Sequence, residues 1–311
     1  MSLERALELA ANAARRAYPK PTVGAVLVRD GEVVGEGVTE AGGRHGEVVA
    51  LEAAGERTHG ATLYVTMEPC AHQGSTPPCV ETVLAAGVSR VVAGSLDPNP
   101  EAAGGLERLR AAGLEVELVD SFEARRQNEA WRTWVAHGRP FVTLKVAVTL
   151  DGRVTVPGER WVTGEESRQL VHELRAASDA VAVGMGTVRA DAPRLDARDV
   201  PAVRQPRRLA FGRGPLPEGS ELELRTGPLA EELAALARDG VQSFLLEGGP
   251  TLAGAFVQAG LVDKLLLFVA PRLSGSGPGL LNALAGPLSL VRLNARQVGD
   301  DVLLEAYVRE P

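Results

Sequence analysis

A chain of 311 residues is long for one domain and comfortable for two. Its 45% hydrophobic and 23% charged residues describe a packed globular protein, and no apolar run reaches the length of a membrane span. The net charge of −7 argues against a nucleic-acid surface, which usually shows a basic balance. The opening Met1-Ser2-Leu3-Glu4-Arg5-Ala6 lacks the basic-then-apolar layout of a signal peptide, so a cytoplasmic protein without membrane or nucleic-acid partners is expected.

Apolar spacing predicts a helix over 3–17, with Leu3, Ala6, Leu7 and Ala10 on one face. Strands follow at 25–29 and 33–37, joined by the hairpin turn Asp30-Gly31. A buried helix starts near His45 and carries Val48, Val49, Ala50, Leu51, Ala53 and Ala54. Next come a strand at 61–67, a helix from Cys79 to the stop at Gly87, a strand at 88–94, a helix at 106–112 and a strand at 114–118. This alternation predicts a mixed sheet between helices, with the site at the strand ends. A helix over 121–136, with Trp131 and Trp134 as packing anchors, leads to a boundary at Gly138-Arg139-Pro140. Further strands are predicted at 141–148, 180–184, 208–211, 242–246, 264–270 and 302–308.

Both cysteines of the chain lie in one stretch, Pro69-Cys70-Ala71-His72-Gln73-Gly74-Ser75-Thr76-Pro77-Pro78-Cys79, downstream of His45-Gly46-Glu47. Two thiolates and an imidazole suit a zinc ion that keeps a fourth position for water. A His-x-Glu followed by Pro-Cys and a second cysteine is the zinc deaminase signature, although eight residues rather than two separate the cysteines here. His45, Cys70 and Cys79 are therefore the candidate ligands of one zinc. Glu47 is the candidate proton shuttle between the attacking water, a ring nitrogen and the departing ammonia. Residues two apart do not share a helix face, so the metal is expected off a helix N-terminus. A closed structural site using His45, Cys70, His72 and Cys79 is the alternative, and a redox disulfide is a weaker one. In the second half, the strand at 242–246 runs into Glu247-Gly248-Gly249-Pro250-Thr251-Leu252-Ala253-Gly254. A strand, two glycines and a helix start can cradle a phosphate, or they can be only a tight turn.

The spaced Pro-Cys-x-His-x-Gly-x-Thr-Pro-Pro-Cys stretch and Asp97-Pro98-Asn99-Pro100 resemble the bifunctional deaminase/reductase family of riboflavin biosynthesis, the RibD family. Lys145-Val146-Ala147-Val148-Thr149-Leu150-Asp151-Gly152, Trp161-Val162-Thr163, Leu174-Arg175, Val183 to Asp191 and Leu195 to Arg198 extend the likeness over nearly the whole chain. It implies an α/β protein: a cytidine-deaminase-like three-layer domain over 1–138, then a dihydrofolate-reductase-like domain over 139–311. The expected substrates are small phosphoribosylamino-pyrimidines, first deaminated with zinc and then reduced with NADPH. Carried over by position, Val148, Trp161, Thr163, Thr187, Asp191, Gly249, Pro250, Thr251, Leu252, Ala253, Gly254 and Ala255 would touch NADPH. Lys20, Asp97, Asn99, Lys145, Arg175, Leu195, Arg198 and Glu247 would hold substrate, with the arginines on its phosphate. A homodimer or tetramer would fit the family.

Several positions depart from the family pattern. Lys20 stands in the first Pro-x-Pro turn, Ser75 where a basic residue is usual, Thr39 where a histidine is expected, and Gly46 where alanine is. Lys20 is a candidate to supply the charge missing at Ser75. In the second half, Glu159 replaces a serine, Gly212-Arg213 replaces Asp-Ser, and the stretch up to Val241 is short enough to predict a lost strand. A single-activity enzyme and a non-catalytic zinc-stabilised binding protein remain alternatives.

Overall fold

The computed structural model describes residues 2–73, 77–281 and 284–311. Contacts divide the chain into a first unit that ends at His137 and a second, Gly138–Glu310.

The first unit opens with α1 (Ser2–Asn12), where Ala6 and Ala10 are fully buried. The helix expected to reach residue 17 stops at Asn12, and Arg15 takes φ 63, which no regular helix accommodates. β1 (Gly24–Arg29) and β2 (Glu32–Val38) form the expected hairpin; Asp30 and Gly31 take φ 51 and 83, as a two-residue turn requires. α2 (Gly46–Ala54), β3 (Thr62–Val65), α3 (Cys79–Ala85), β4 (Arg90–Ala93), α4 (Gly105–Ala111) and β5 (Glu115–Leu118) follow.

The sheet runs β2-β1-β3-β4-β5, with β3, β4 and β5 parallel. α2, α3 and α4 cover the face bearing Ala25, Leu27, Leu63, Val65, Val91 and Ala93. Glycines let the other helices approach the opposite face: a Cβ on Gly24 would lie 2.0 Å from Ala6 O of α1. The helix expected over 121–136 is two, α5 (Phe122–Gln127) and α6 (Glu129–His137). The break is at Asn128, whose amide accepts from Thr22 N (2.9 Å) and donates to Thr22 O (3.0 Å). That reciprocal tertiary pair outcompetes helical continuation.

The second unit contains β6 (Phe141–Thr149), α7 (Glu165–Ala177), β7 (Ala180–Gly184), α8 (Met185–Asp191), β8 (Arg207–Phe211), β9 (Glu223–Arg225), α9 (Leu229–Arg238), β10 (Ser243–Leu246), α10 (Pro250–Gln258), β11 (Lys264–Ala270), β12 (Val291–Val298) and β13 (Asp301–Tyr307). Its sheet runs β12-β13-β11-β6-β10-β7-β8-β9. β11 through β9 are parallel, while β13 and β12 run antiparallel at one edge. The shortened stretch before Val241 still holds the three-residue β9 and the ten-residue α9. Phe211, Phe244 and Phe256 meet ring to ring in the core, with centroids 5.7–6.0 Å apart. No described helix is long and apolar enough to cross a membrane.

Candidate functional site

In the first unit the parallel strands β3 and β4 end side by side, and the segments leaving them carry Cys70 and Asp97. His45 caps α2 in extended backbone (φ −77, ψ 150), so its ring projects back toward the strand ends while Glu47 sits in the first turn. Cys79 begins α3. The Nδ1 of His45 lies 3.0 Å from Cys79 Sγ and 3.6 Å from Cys70 Sγ, and the three ligand atoms fall within 4.8 Å of one another. Zinc bond lengths to sulfur and nitrogen in a tetrahedron require ligand atoms roughly 3.5–4 Å apart. The cluster fits a metal of that kind. His72 stands outside it, so the four-ligand closed site is not formed among the described residues.

Proton affinities agree with a metal-ready pair. Cys70 is held down to about 4 by the hydrogen bond from Cys79, with His45 adding to the effect, and Cys79 is pushed up by the same contact. The backbone N–H of Cys79 also donates to Cys70 Sγ at 3.3 Å. Glu47 is 3% exposed, and its Oε2 has no hydrogen-bond partner. Burial pushes its carboxyl up to about 7. A buried, unpartnered carboxylate is costly, and such a group beside a metal cluster is a functional feature.

Around the cluster, Asp97 accepts from Asn99 N at 2.8 Å, and burial pushes Asp97 up to about 6. Glu68, which the sequence reading passed over, is 5% exposed and accepts from Asp97 N (3.2 Å) and Leu106 N (2.9 Å). It clamps the strand ends together; an acid directly before Pro69-Cys70 was the available signal. Lys20 lies near enough for its charge to act on His45, and its Nζ would stand 3.1 Å from a Cβ on Gly43. Ser75, with which Lys20 was paired in expectation, lies outside the described residues. Thr39 is buried and exchanges bonds with Val23: its Oγ1 accepts from Val23 N at 2.9 Å. A Cβ on Gly46 would lie 2.3 Å from Val23 O. The two departures from the family pattern at 39 and 46 therefore meet at one place, where α2 packs on the entry to β1.

The second unit has a cavity of about 1330 Å³ over the carboxyl ends of its parallel strands. Lys145, Arg175, Leu195, Arg198 and Glu247 of the expected substrate set line it. So do Trp161, Thr163, Thr187, Asp191, Gly249, Pro250, Thr251 and Leu252 of the expected cofactor set. Val148, Ala253, Gly254 and Ala255 do not: Val148 and Ala253 are core residues, Gly254 is buried within α10, and Ala255 is exposed. Arg175 grips Glu247 along both edges, Nε to Oε1 at 2.6 Å and Nη2 to Oε2 at 3.0 Å, and Lys145 Nζ lies 3.7 Å from Oε2. Burial pulls Lys145 below the ordinary ammonium value, only partly offset by Glu247. Glu247 stays below its usual value because Lys145 and Arg175 outweigh burial.

His172, one turn before Arg175 on α7, also lines the cavity. Its Nδ1 is 3.1 Å from Asp196 O, which Arg175 Nη1 also reaches at 3.3 Å. Together they hold the backbone between Leu195 (φ 56) and Arg198. Its spacing three residues before Arg175 was the sequence signal. Glu159 does not line the cavity and pairs with Arg272. At the opposite wall Gly249 caps α10 with Pro250 at its first position, leaving first-turn N–H groups toward the cavity. A Cβ on Gly248 would crowd Leu252 Cβ at 3.1 Å, so the cradle is built for backbone.

Comparison with known proteins bears on both units. Residues 140–304 match the RibD C-terminal domain, and residues 1–95 match the cytidine and deoxycytidylate deaminase zinc-binding region. The riboflavin biosynthesis protein RibD of Aquifex aeolicus is 37% identical, covering 97% of this chain and 96% of its own. That of Mycobacterium tuberculosis H37Rv is 42% identical over 94% of this chain and 92% of its own. Among solved structures, Acinetobacter baumannii RibD superposes with TM-score 0.83 at 36% identity, covering 98% of this chain and 97% of its own. The Thermotoga maritima diaminohydroxyphosphoribosylaminopyrimidine deaminase/5-amino-6-(5-phosphoribosylamino)uracil reductase does so with TM-score 0.82 at 33% identity, covering 98% and 97%. The first unit is thus cytidine-deaminase-like and the second reductase-like. With its cysteine–histidine cluster in one unit and its arginine- and lysine-lined cavity in the other, the chain belongs to the RibD family of bifunctional riboflavin-biosynthesis enzymes, which join a hydrolytic deaminase to a reductase.

Proposed function

We propose that the first unit deaminates 2,5-diamino-6-(5-phosphoribosylamino)pyrimidin-4-one with zinc, and that the second reduces the ribosyl group of the product to a ribityl chain with NADPH. The observation that carries the first step is the unpartnered Glu47 Oε2 beside the His45, Cys70 and Cys79 cluster. When bound by those three residues, zinc supplies a water acidic enough to attack near neutral pH. Glu47 takes the proton that water releases, passes it to the ring nitrogen, and protonates the departing ammonia. Asp97 and Asn99 hold the pyrimidine's polar edge, and Lys20 its phosphate.

In the second unit the Gly248-Gly249 turn and α10 receive the diphosphate of NADPH, which supplies the hydride. Arg175 and Arg198 hold the sugar phosphate. Lys145, its proton loosened by burial, gives that proton to the ring oxygen as the C1′–oxygen bond opens and C1′ accepts the hydride. Two cysteines placed as metal ligands rather than as a disulfide are in keeping with a cytoplasmic location.

The test is a coupled assay on zinc-loaded protein, with ammonia release and NADPH oxidation followed separately. Ammonia followed by NADPH loss is the expected result. Ammonia alone would remove the reductase half of the reading, and neither signal with zinc bound would remove both.

A further inference from the structure

In the second unit β7 runs through α8 into residues 192–199, which form one wall of the cavity. Ala192, Leu195 and Asp199 take φ 41, 56 and 61, a left-handed backbone that such residues adopt only where their surroundings impose it. Leu195 anchors the segment in the core beside Val181, Val183 and Leu245. Gln205 clamps Ala197 at both backbone groups, accepting from its N–H at 2.9 Å and donating to its C=O at 2.7 Å. The backbone on both sides of Asp196 is thereby fixed.

Asp196 joins the cations of that wall. Its carbonyl accepts from His172 Nδ1 at 3.1 Å and from Arg175 Nη1 at 3.3 Å, while Arg175 Nε and Nη2 hold Glu247. A carbonyl can only accept, so His172 carries a proton on Nδ1. The carboxylate holds a different arginine on each oxygen, Arg198 Nη1 on Oδ1 and Arg194 Nη2 on Oδ2, both at 2.7 Å. Burial opposes the charge, but Arg198 and Arg194 hold the Asp196 carboxyl below its ordinary value.

Arg175, Arg194 and Arg198 line the cavity, and Asp196 does not. Its side chain is 11% accessible, against 74% for Arg194 and 44% for Arg198. Ion pairs of exposed arginines add little stability, because fixing long side chains offsets the attraction. What the tether does supply is a fixed direction for guanidinium groups that would otherwise range through solvent. Lys145, Arg175, Arg194 and Arg198, linked to Glu247 and Asp196, keep two positive charges in excess. A phosphate monoester carries about −1.5 to −2 at neutral pH and matches them.

We infer that Asp196 is the positioning residue of this phosphate clamp, seating Arg175 through its carbonyl and Arg198 through its carboxylate, and that Arg194 is a third arginine on the same sugar phosphate. This rests on the reading that Arg175 and Arg198 hold that phosphate, and deepens it. The experiment is steady-state NADPH oxidation by the zinc-loaded full chain, with the deaminated ribosyl phosphate as substrate. The variants are Asp196→Ala, Asp196→Asn, Arg194→Ala, Asp196→Ala with Arg194→Ala, and Arg198→Ala; NADPH affinity, ammonia release and melting are followed alongside. Asp196→Ala is expected to raise KM about ten-fold with kcat within about two-fold, leaving NADPH affinity and ammonia release unchanged. Asp196→Asn keeps an oxygen for Arg198 and should recover part of the loss. Arg194→Ala should raise KM about three- to five-fold and make its salt dependence shallower. In the Asp196→Ala background it should add less, because Arg194 has already lost its tether.

A fall in KM in Asp196→Ala would overturn the assignment, because the carboxylate would then only repel the phosphate. So would lower melting with loss of both sugar-phosphate and NADPH affinity in the two Asp196 variants, since Asp196 would then only hold the fold. An unchanged KM in Arg194→Ala removes Arg194 from the clamp. A KM that responds to Arg198→Ala but not to Asp196→Ala sinks this inference alone. An unresponsive Arg198→Ala removes the placing of the phosphate, and a wild type that oxidises no NADPH removes the reductase reading; this inference falls with either.

Discussion

Arg175 and Glu247 meet edge to edge in the floor of the reductase cavity, with two hydrogen bonds and little exposure, their side chains being 13% and 8% accessible. They come from α7 and from the end of β10, so one ion pair sets the width of the cavity between those elements. Lys145 adds a second cation to the same carboxylate, leaving the cluster with one positive charge in excess for an anionic substrate.

Glu247→Gln should break this balance. It leaves two cations with no neutralising charge in a buried place, a change that typically costs about 3–5 kcal/mol. The expected outcome is a lower unfolding temperature for the second unit and a loss of NADPH oxidation, with ammonia release retained. Calorimetry together with the split assay checks it. Loss of ammonia release in the same variant would mean the effect is not confined to this cluster.

Gly46→Ala tests how the zinc site is held. The family's alanine cannot be restored without moving α2, because its Cβ would stand 2.3 Å from Val23 O and 3.3 Å from Thr39 N. His45 and Glu47 flank Gly46, so any shift of the helix start moves a ligand and the proton shuttle together. Overpacking of this kind costs about 1–3 kcal/mol. Metal analysis should show less than one zinc per chain after dialysis, and melting should fall. Full zinc retention with unchanged melting would mean α2 tolerates the added methyl group.

The zinc site was legible because its chemistry fixes residue types: two cysteines in the whole chain and a His-x-Glu leave few arrangements. The central strands were legible too, since runs such as Lys264–Ala270 are apolar enough to be buried on both faces. What escaped depended on partners distant in sequence. Asn128 reads as an ordinary helix residue, and only Thr22, 106 positions away, makes it a break. β12 was missed because nearly all its residues are exposed, so no alternation of burial marks it. Val148, assigned to the cofactor by position, is packed in the core of the second unit, as its neighbour Val146 is.

Lys20→Ala should raise the KM for the diamino-pyrimidinone ribosyl phosphate with kcat nearly unchanged. Lys20 supplies a charge near His45, which on the proposed reading would act in binding rather than in proton transfer. Loss of one phosphate contact near the surface corresponds to about five- to ten-fold in KM. Steady-state ammonia release at two salt concentrations checks it, and the wild type should be the more salt-sensitive of the two. An unchanged KM would remove Lys20 from the substrate site.

Glu47→Gln separates metal binding from proton transfer. The amide keeps the shape of the side chain, and the three ligands are untouched, so about one zinc per chain should remain. Ammonia release should fall by about 10²–10⁴-fold, the usual worth of a positioned acid–base group. A non-catalytic zinc site would instead show no functional change.

Asp97→Asn should stabilise the chain while weakening its deaminase. Burial raises the Asp97 carboxyl to about 6, so the folded chain binds a proton there more readily than the unfolded chain does. This group's contribution to stability is therefore fully present below the ordinary carboxylate value and is lost as pH rises to about 6. At pH 7 the ionised form costs the fold about 1–2 kcal/mol once partial solvent screening is allowed for. Asparagine keeps an oxygen for the Asn99 N–H, which now stands 2.8 Å from Oδ1, without carrying the charge. Melting of the variant should thus exceed the wild type at pH 7 to 8, and the two should converge near pH 4. The substrate KM of the wild type should rise as pH falls below about 6, where the carboxylate needed to accept the substrate's amino group is lost. In Asp97→Asn that acid limb should flatten and KM should be high throughout. A variant no more stable at pH 7, with the acid limb intact, would mean that the limb belongs to another group and that the buried Asp97 charge is already compensated.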